Sequence, residues 1–246
     1  MALSGLEIYK LLPKTNCREC GFPTCLAFAM KLAAKQAELD SCPYVSPEAR
    51  EALAAAAAPP IRLVSIGADK SKVEVGNETV LFRHEKTFFH QPGIFLRVRD
   101  TAEPPAIEAD VRAAMGYSVE RVGLTLGLSG VAVENASADA GTLARCVQQV
   151  RGLTEKPLIL ISADPAALKA ALAVEGGKRP LLYAATSENW QAMAALAREA
   201  GVPLAVHAAE LTVLAELTER IKGAGVEDLV LDPGTFADQG MTDTLD

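Results

Sequence analysis

The chain has 246 residues, half of them apolar, with a net charge of −7 and a pI near 5.1. That length accommodates one small and one larger domain, and the acidic balance excludes a uniformly basic face for nucleic acid. Aromatic residues make up only 5%, so the core must come from Ala, Leu, Val and Ile. No apolar run reaches the roughly 18 residues of a membrane span, and the N-terminus lacks the features of a signal peptide. A cytoplasmic, reducing setting is the resulting expectation, in which clustered cysteines bind metal rather than form disulfides.

In chain order, Ser4-Gly-Leu-Glu7 predicts a capping box opening a short helix that Pro13 stops. Cys17 to Cys25 predicts a tight loop, with Gly21 permitting a turn and Pro23 stiffening the approach to the next helix. That helix is predicted over Thr24–Leu39. It places Cys25 in its first turn, where the dipole favours a thiolate, and Cys25, Phe28, Ala29 and Leu32 on one face. Cys42-Pro43 follows in the loop beyond. Glu51–Pro60, EALAAAAAPP, predicts a linker or a helical strut. The domain expectation is therefore 1–50, a linker at 51–60, and a second domain at 61–246.

The second domain is predicted to open with a strand over Ile61–Gly67. A hairpin of Lys72–Val75 and Glu78–Phe82 follows, turning at Gly76-Asn77. Core strands follow at Ile94–Arg99, Gly130–Asn135, Pro157–Ser162, Leu181–Thr186, Leu204–Ala208 and Asp228–Asp232. Tyr117–Leu128 predicts a short strand plus a turn. Asp164-Pro165 and Ser187 are predicted helix starts, and Gly176, Gly201 and Gly223 stops. Even strand–helix alternation implies α/β architecture with parallel βα units. No Gly-x-Gly-x-x-Gly supports a dinucleotide fold, so a TIM-type barrel is expected. About six units can be counted where closure needs eight, so the chain is expected to be a fragment of that barrel.

Four of the five cysteines carry the chemistry, at the spacing C-x2-C-x4-C-x16-C: Cys17, Cys20, Cys25 and Cys42. Structural zinc sites usually pair two separated C-x2-C knuckles. Here three thiols crowd one loop and a lone Cys-Pro closes the site, which favours a [4Fe-4S] cubane. The spacing matches neither common ferredoxin pattern, so zinc stays open. Lys14 and Arg18 beside the loop read as solvated surface, or as charges that attract an electron donor.

The segment Cys17-x-x-Cys20-Gly21-x-Pro23-Thr24-Cys25 with Cys42-Pro43 resembles the N-terminal four-iron domain of the corrinoid iron–sulfur protein, large (gamma) subunit. The Ala/Pro linker, the hairpin and the stretch Gly130-Val-Ala-Val-Glu-Asn-Ala-Ser137 are also similar to that family. The resemblance spans essentially the whole chain and implies that Cys17, Cys20, Cys25 and Cys42 are the cluster ligands. It implies a small [4Fe-4S] domain, a TIM barrel and, in the full protein, a C-terminal cobalamin domain that this stretch lacks. It further implies a heterodimer with a small barrel subunit in the anaerobic acetyl-CoA pathway of carbon fixation. Methyl groups would pass on cobalamin from methyltetrahydrofolate, through a partner methyltransferase, to acetyl-CoA synthase/CO dehydrogenase. The cluster, fed by a low-potential electron donor, would return Co(II) to Co(I). On this reading the present stretch is not itself catalytic.

Two other functions remain open on the residues. One is a zinc-stapled barrel enzyme acting on a pterin or phosphorylated small molecule; the other is an electron-transfer module on a scaffold barrel. The barrel-mouth residues Asn135, Ser162, Thr186, His207 and Asp232 sit where TIM barrels place chemistry, but helix capping explains such residues equally well. His84 and His90 lack companions at ligand spacing. Cys146 falls on an apolar helix stripe and Trp190 reads as packing.

Overall fold

Ser4 opens α1 (Gly5–Leu11) with the expected capping box: its side chain accepts the Glu7 N–H, and the Glu7 carboxylate accepts the Ser4 N–H at 2.8 Å. The computed structural model describes residues 4–33, 37, 39–50, 53, 61–68, 71–77 and 90–234. The expected partner strand Glu78–Phe82, His84, most of the linker and the C-terminal tail lie outside them. The chain divides into two compact units, residues 1–62 with 77–86, and residues 63–76 with 87–246.

In the smaller unit α2 (Cys25–Ala33) begins one residue after its cap, Thr24, whose hydroxyl accepts the Ala27 N–H at 3.1 Å. The expected extension to Leu39 is not found, since Ala37 sits in a bend and Leu39–Ser41 forms a 3-10 turn. Asp40 and Ser41 favour such local turns over continued helix. Ile8, Leu12, Phe28, Ala29, Val45 and Leu53 bury together with Cys25 and Cys42.

The larger unit begins with β1 (Val64–Ile66), antiparallel to β2 (Val73–Val75). Gly76 and Asn77 both take positive φ, as a two-residue turn requires. The main sheet holds six parallel strands: β3 (Phe95–Arg99), β6 (Gly130–Glu134), β7 (Leu158–Ile161), β8 (Leu181–Ala185), β9 (Leu204–His207) and β10 (Leu229–Asp232). All six fall within the expected spans. Between β3 and β6, Tyr117–Leu128 forms a full hairpin rather than one strand: β4 (Ser118–Arg121) pairs with β5 (Leu124–Gly127). Its turn is Val122-Gly123, with φ of 50° and 77°. A valine is rarely found at positive φ, so sequence patterns do not reveal this turn.

Helices α3 (Pro104–Gly116), α4 (Ala140–Leu153), α5 (Pro165–Glu175), α6 (Trp190–Ala200) and α7 (Leu211–Gly223) connect these strands. Asp139 and Asp164 cap α4 and α5, and Gly176 and Gly201 end α5 and α6 in the left-handed conformation. The expected start at Ser187 is two residues early. The Asn189 Oδ1 accepts the Thr186 N–H at 2.7 Å, closing the loop so that α6 begins at Trp190. All five helices contribute to one apolar core with Val98, Val131, Val133, Leu158, Leu160, Leu182, Leu204 and Val206. The helices therefore cover a single face of the sheet, and the strand order runs monotonically along the chain without reversal. A doubly wound sheet reverses its order and carries helices on both faces; neither occurs among the described residues. Cys146 and Trp190 pack in this core, as expected.

Gly130 marks the tightest approach in the sheet. A Cβ there would lie 2.1 Å from the Pro157 carbonyl oxygen and 2.6 Å from the Phe95 ring. Gly130→Ala must push strand β6 from β7, and a loss of about 1–3 kcal/mol is expected in urea unfolding. An unchanged midpoint would refute the close approach.

Candidate metal centre

The cysteine loop is built from alternating backbone conformations. Lys14, Asn16 and Arg18 take positive φ (59°, 49° and 67°), and Gly21 follows at 83°. Backbone alternation of this kind is the pattern from which anion-binding nests are built. Two reciprocal bonds tie the loop to α2: the Cys25 N–H donates to Asn16 Oδ1 at 2.8 Å, and the Asn16 N–H donates to Cys25 Sγ at 3.4 Å. A backbone amide thus points at a sulfur, the kind of hydrogen bond that tunes the potential of a thiolate-held cluster.

Cys25 and Cys42 are buried, Cys20 is half-buried and Cys17 is exposed; none forms a disulfide. Cys20, Cys25 and Cys42 share the small unit's apolar cluster with Phe22 and Phe28, whose rings lie 5.4 Å apart. The Tyr44 hydroxyl donates to Glu19 at 2.8 Å, and this bond, followed by the charges of Glu19, Cys17 and Cys42, raises its pKa. The four thiols come from the loop before α2, the first residue of α2 and the segment after the 3-10 turn. They are not closed on a common point: among the described residues no three His, Cys, Asp or Glu side chains approach closely enough to share an ion. By donor chemistry they suit a thiophilic centre, with an apolar wall of Phe22 and Phe28 and the Asn16 N–H directed at Cys25. Lys14 lies 5.7 Å over the Tyr9 ring, a cation–π contact at the edge of the loop.

The residues expected at a barrel mouth separate into two groups. Asn135 and Ser162 belong to a saturated seam. Asn135 Nδ2 donates to Ser162 Oγ at 3.0 Å, while Asp100 accepts the Ser137 N–H and hydroxyl at 2.8 and 2.6 Å. Ser162 also accepts the Asp164 N–H at 3.1 Å. Together with Thr186, whose backbone is closed by Asn189, these residues hold loops in place. His207 and Asp232 behave differently, because register pairs them directly. Asp232 accepts from the Tyr183 hydroxyl and from the Gly234 N–H, the latter at 2.8 Å. Burial is the largest influence on its carboxyl and pushes the pKa up. The bonds from Tyr183 and Gly234 and the charge of His207 outweigh it and leave the pKa lowered. Burial and the same bond push Tyr183 up to about 12.

Sequence reasoning missed Arg97, Arg99, Glu134 and Tyr183. Glu134 accepts from Arg97 Nε at 2.8 Å, again from Arg97 Nη2, and from Arg99 Nε at 3.2 Å. The available signal was strand parity: Arg97 and Arg99 alternate with Leu96 and Val98, so they face away from the helices. His90 lies beside Lys72, Glu74 and Lys156 in a cleft of about 600 Å³ at the other end of the sheet. No helix among the described residues is long and apolar enough to cross a membrane.

Comparison with known proteins places these features in a family. A family model described as "CO dehydrogenase/acetyl-CoA synthase delta subunit" matches residues 63–246, and one described as "Putative Fe-S cluster" matches residues 12–44. The chain is 50% identical over 234 residues to the corrinoid/iron-sulfur protein large subunit of Moorella thermoacetica, covering 95% of this chain and 52% of that protein. It is 42% identical over 249 residues to acetyl-CoA decarbonylase/synthase complex subunit gamma 2 of Methanosarcina mazei, covering 98% and 53%. With the gamma subunit of Methanothermobacter thermautotrophicus it shares 35% over 247 residues, covering 100% and 54%. The chain spans about half the length of the curated relatives it matches. The match across residues 63–246, most of its length, shows that the chain belongs to the CO dehydrogenase/acetyl-CoA synthase delta subunit family.

Proposed function

We propose that Cys17, Cys20, Cys25 and Cys42 hold a [4Fe-4S] cluster, and that the protein acts as the large subunit of a corrinoid iron–sulfur protein. The observation that carries this reading is the position of all four cysteines inside the iron–sulfur family match at residues 12–44. The Asn16 N–H directed at Cys25 supports it, because backbone amides raise the potential of a negatively charged cluster. Phe22 and Phe28 would shield that side from water, lowering the potential in turn. Bound there, the cluster supplies one-electron transfer, whose task on this reading is to return cobalt from Co(II) to Co(I).

The whole protein would carry a methyl group on cobalamin from the methyltetrahydrofolate methyltransferase to acetyl-CoA synthase/CO dehydrogenase, as a heterodimer with a small corrinoid subunit in the cytoplasm. Residues 1–50 would form the cluster domain, 51–60 the joining segment and 61–246 part of a TIM barrel. The monotonic strand order and the single helix-covered face support barrel closure. Anaerobic purification with iron, sulfide and zinc analysis tests the site. Roughly four irons and four sulfides per chain, without zinc, are expected. One zinc and no iron would overturn the assignment.

A further inference from the structure

The face of the large sheet turned away from the helices carries a second polar constellation, independent of the cysteine loop. Strand register aligns Arg99, Glu134, Ile161 and Tyr183 in one row across β3, β6, β7 and β8. His207 and Asp232 pair directly on β9 and β10. These positions are at the C-terminal ends of the strands, where parallel α/β sheets bind ligands.

At one end of the row, two guanidinium groups share one carboxylate, which leaves a net positive charge. The Arg97 and Arg99 side chains are 58% and 66% exposed, while Glu134, which orients them, is 19% exposed. Among the described residues the Arg99 side chain donates only through Nε, so its terminal nitrogens remain available as a fork suited to an oxyanion. At the other end, Asp232 is fixed by Tyr183 and Gly234. His207 Nδ1 lies 3.3 Å from Asp232 Oδ2, within charge-pair range but without hydrogen-bond alignment, and that nitrogen is buried with no hydrogen-bond partner. The side chain is nevertheless 37% exposed, so its exposure lies on the rest of the ring. The two ends share one field, since the Arg97 charge acts on the Tyr183 hydroxyl. Glu134, which holds the fork, and Tyr183 stand two strand spacings apart, about 10 Å, with the half-buried Ile161 between them.

We propose that this face binds a small molecule with an oxyanion head, carboxylate or phosphate, on an apolar body. The head sits on the Arg97–Arg99 fork, the body lies over Ile161, and its far end meets Tyr183 and His207. The loop-closing bonds that occupy Asn135, Ser162 and Thr186 leave this constellation unexplained by capping.

Calorimetric titration of the full-length protein with phenyl phosphate and with benzoate tests the site, alongside the Arg99→Gln and His207→Gln variants. Binding of at least one probe is expected at millimolar concentration, weakened roughly tenfold or more by each variant, with thermal midpoints unchanged. Preference for one probe identifies the head as phosphate or carboxylate. Binding of neither probe overturns the proposal, as does binding that survives either substitution. Loss of binding accompanied by a lowered thermal midpoint overturns it in favour of a structural role.

Discussion

Cys42→Ser is expected to reduce the iron content from roughly four atoms per chain to near zero after anaerobic purification. Cys42 is only 3% exposed and packs with Ile8, Phe28 and Cys25, so neither water nor a serine hydroxyl is a ready substitute for the lost thiolate. Cys146→Ser is the matched control. Cys146 is equally hidden, but it lies on α4 in the core of the larger unit, and burial pushes its thiol up to about 11. Such a thiol is neither a ready ligand nor a reactive group at neutral pH, and Cys146→Ser should keep the full iron and sulfide content. Wild-type iron in Cys42→Ser would remove this residue from the ligand set. Equal losses in both variants would point to general unfolding instead.

The second large effect concerns stability. Glu175→Ala should destabilise the larger unit by about 3–5 kcal/mol in urea unfolding, because it strands a buried guanidinium. The Glu175 side chain is 1% exposed and its partner Arg151 13%. Arg151 pairs with both carboxylate oxygens and donates to the Thr154 and Lys156 carbonyls at 3.0 and 2.9 Å. One side chain thereby ties the end of α4 to α5 and to the approach to β7. The Lys169–Glu199 pair provides the contrast: at 3.8 Å and largely exposed, its removal should cost no more than about 1 kcal/mol. Similar losses from Glu175→Ala and Glu199→Ala would show that the buried pair holds nothing together.

Much of the architecture was legible because its causes are local. Ser4 and Glu7 cap each other across three residues, and Gly176 and Gly201 stop helices through their own backbone freedom. The six core strands are short apolar runs, and each fell within its expected span. Local reasoning failed where a local rule was broken. Val122 adopts a turn conformation that valine rarely takes, which hid the β4–β5 hairpin. Asn189 displaced the expected helix start by bonding back to Thr186. At the candidate site, the four cysteines could be named from spacing alone, while their unequal burial could not.

The sequence alone determined the inventory: four cysteines in one short segment, a run of strand–helix units, and the turn and cap residues that punctuate them. These follow from chemistry acting over a few residues. The tertiary structure decided which residues meet. It put all the described helices of the larger unit on one face of the sheet. It also brought Tyr183 to Asp232 across 49 positions and Arg97 to Glu134 across 37. Such contacts depend on strand order and register, which arise only when distant segments bury their apolar faces together. A single sequence carries the polar residues of the sheet face in plain view, but only the paired strands turn them into one row.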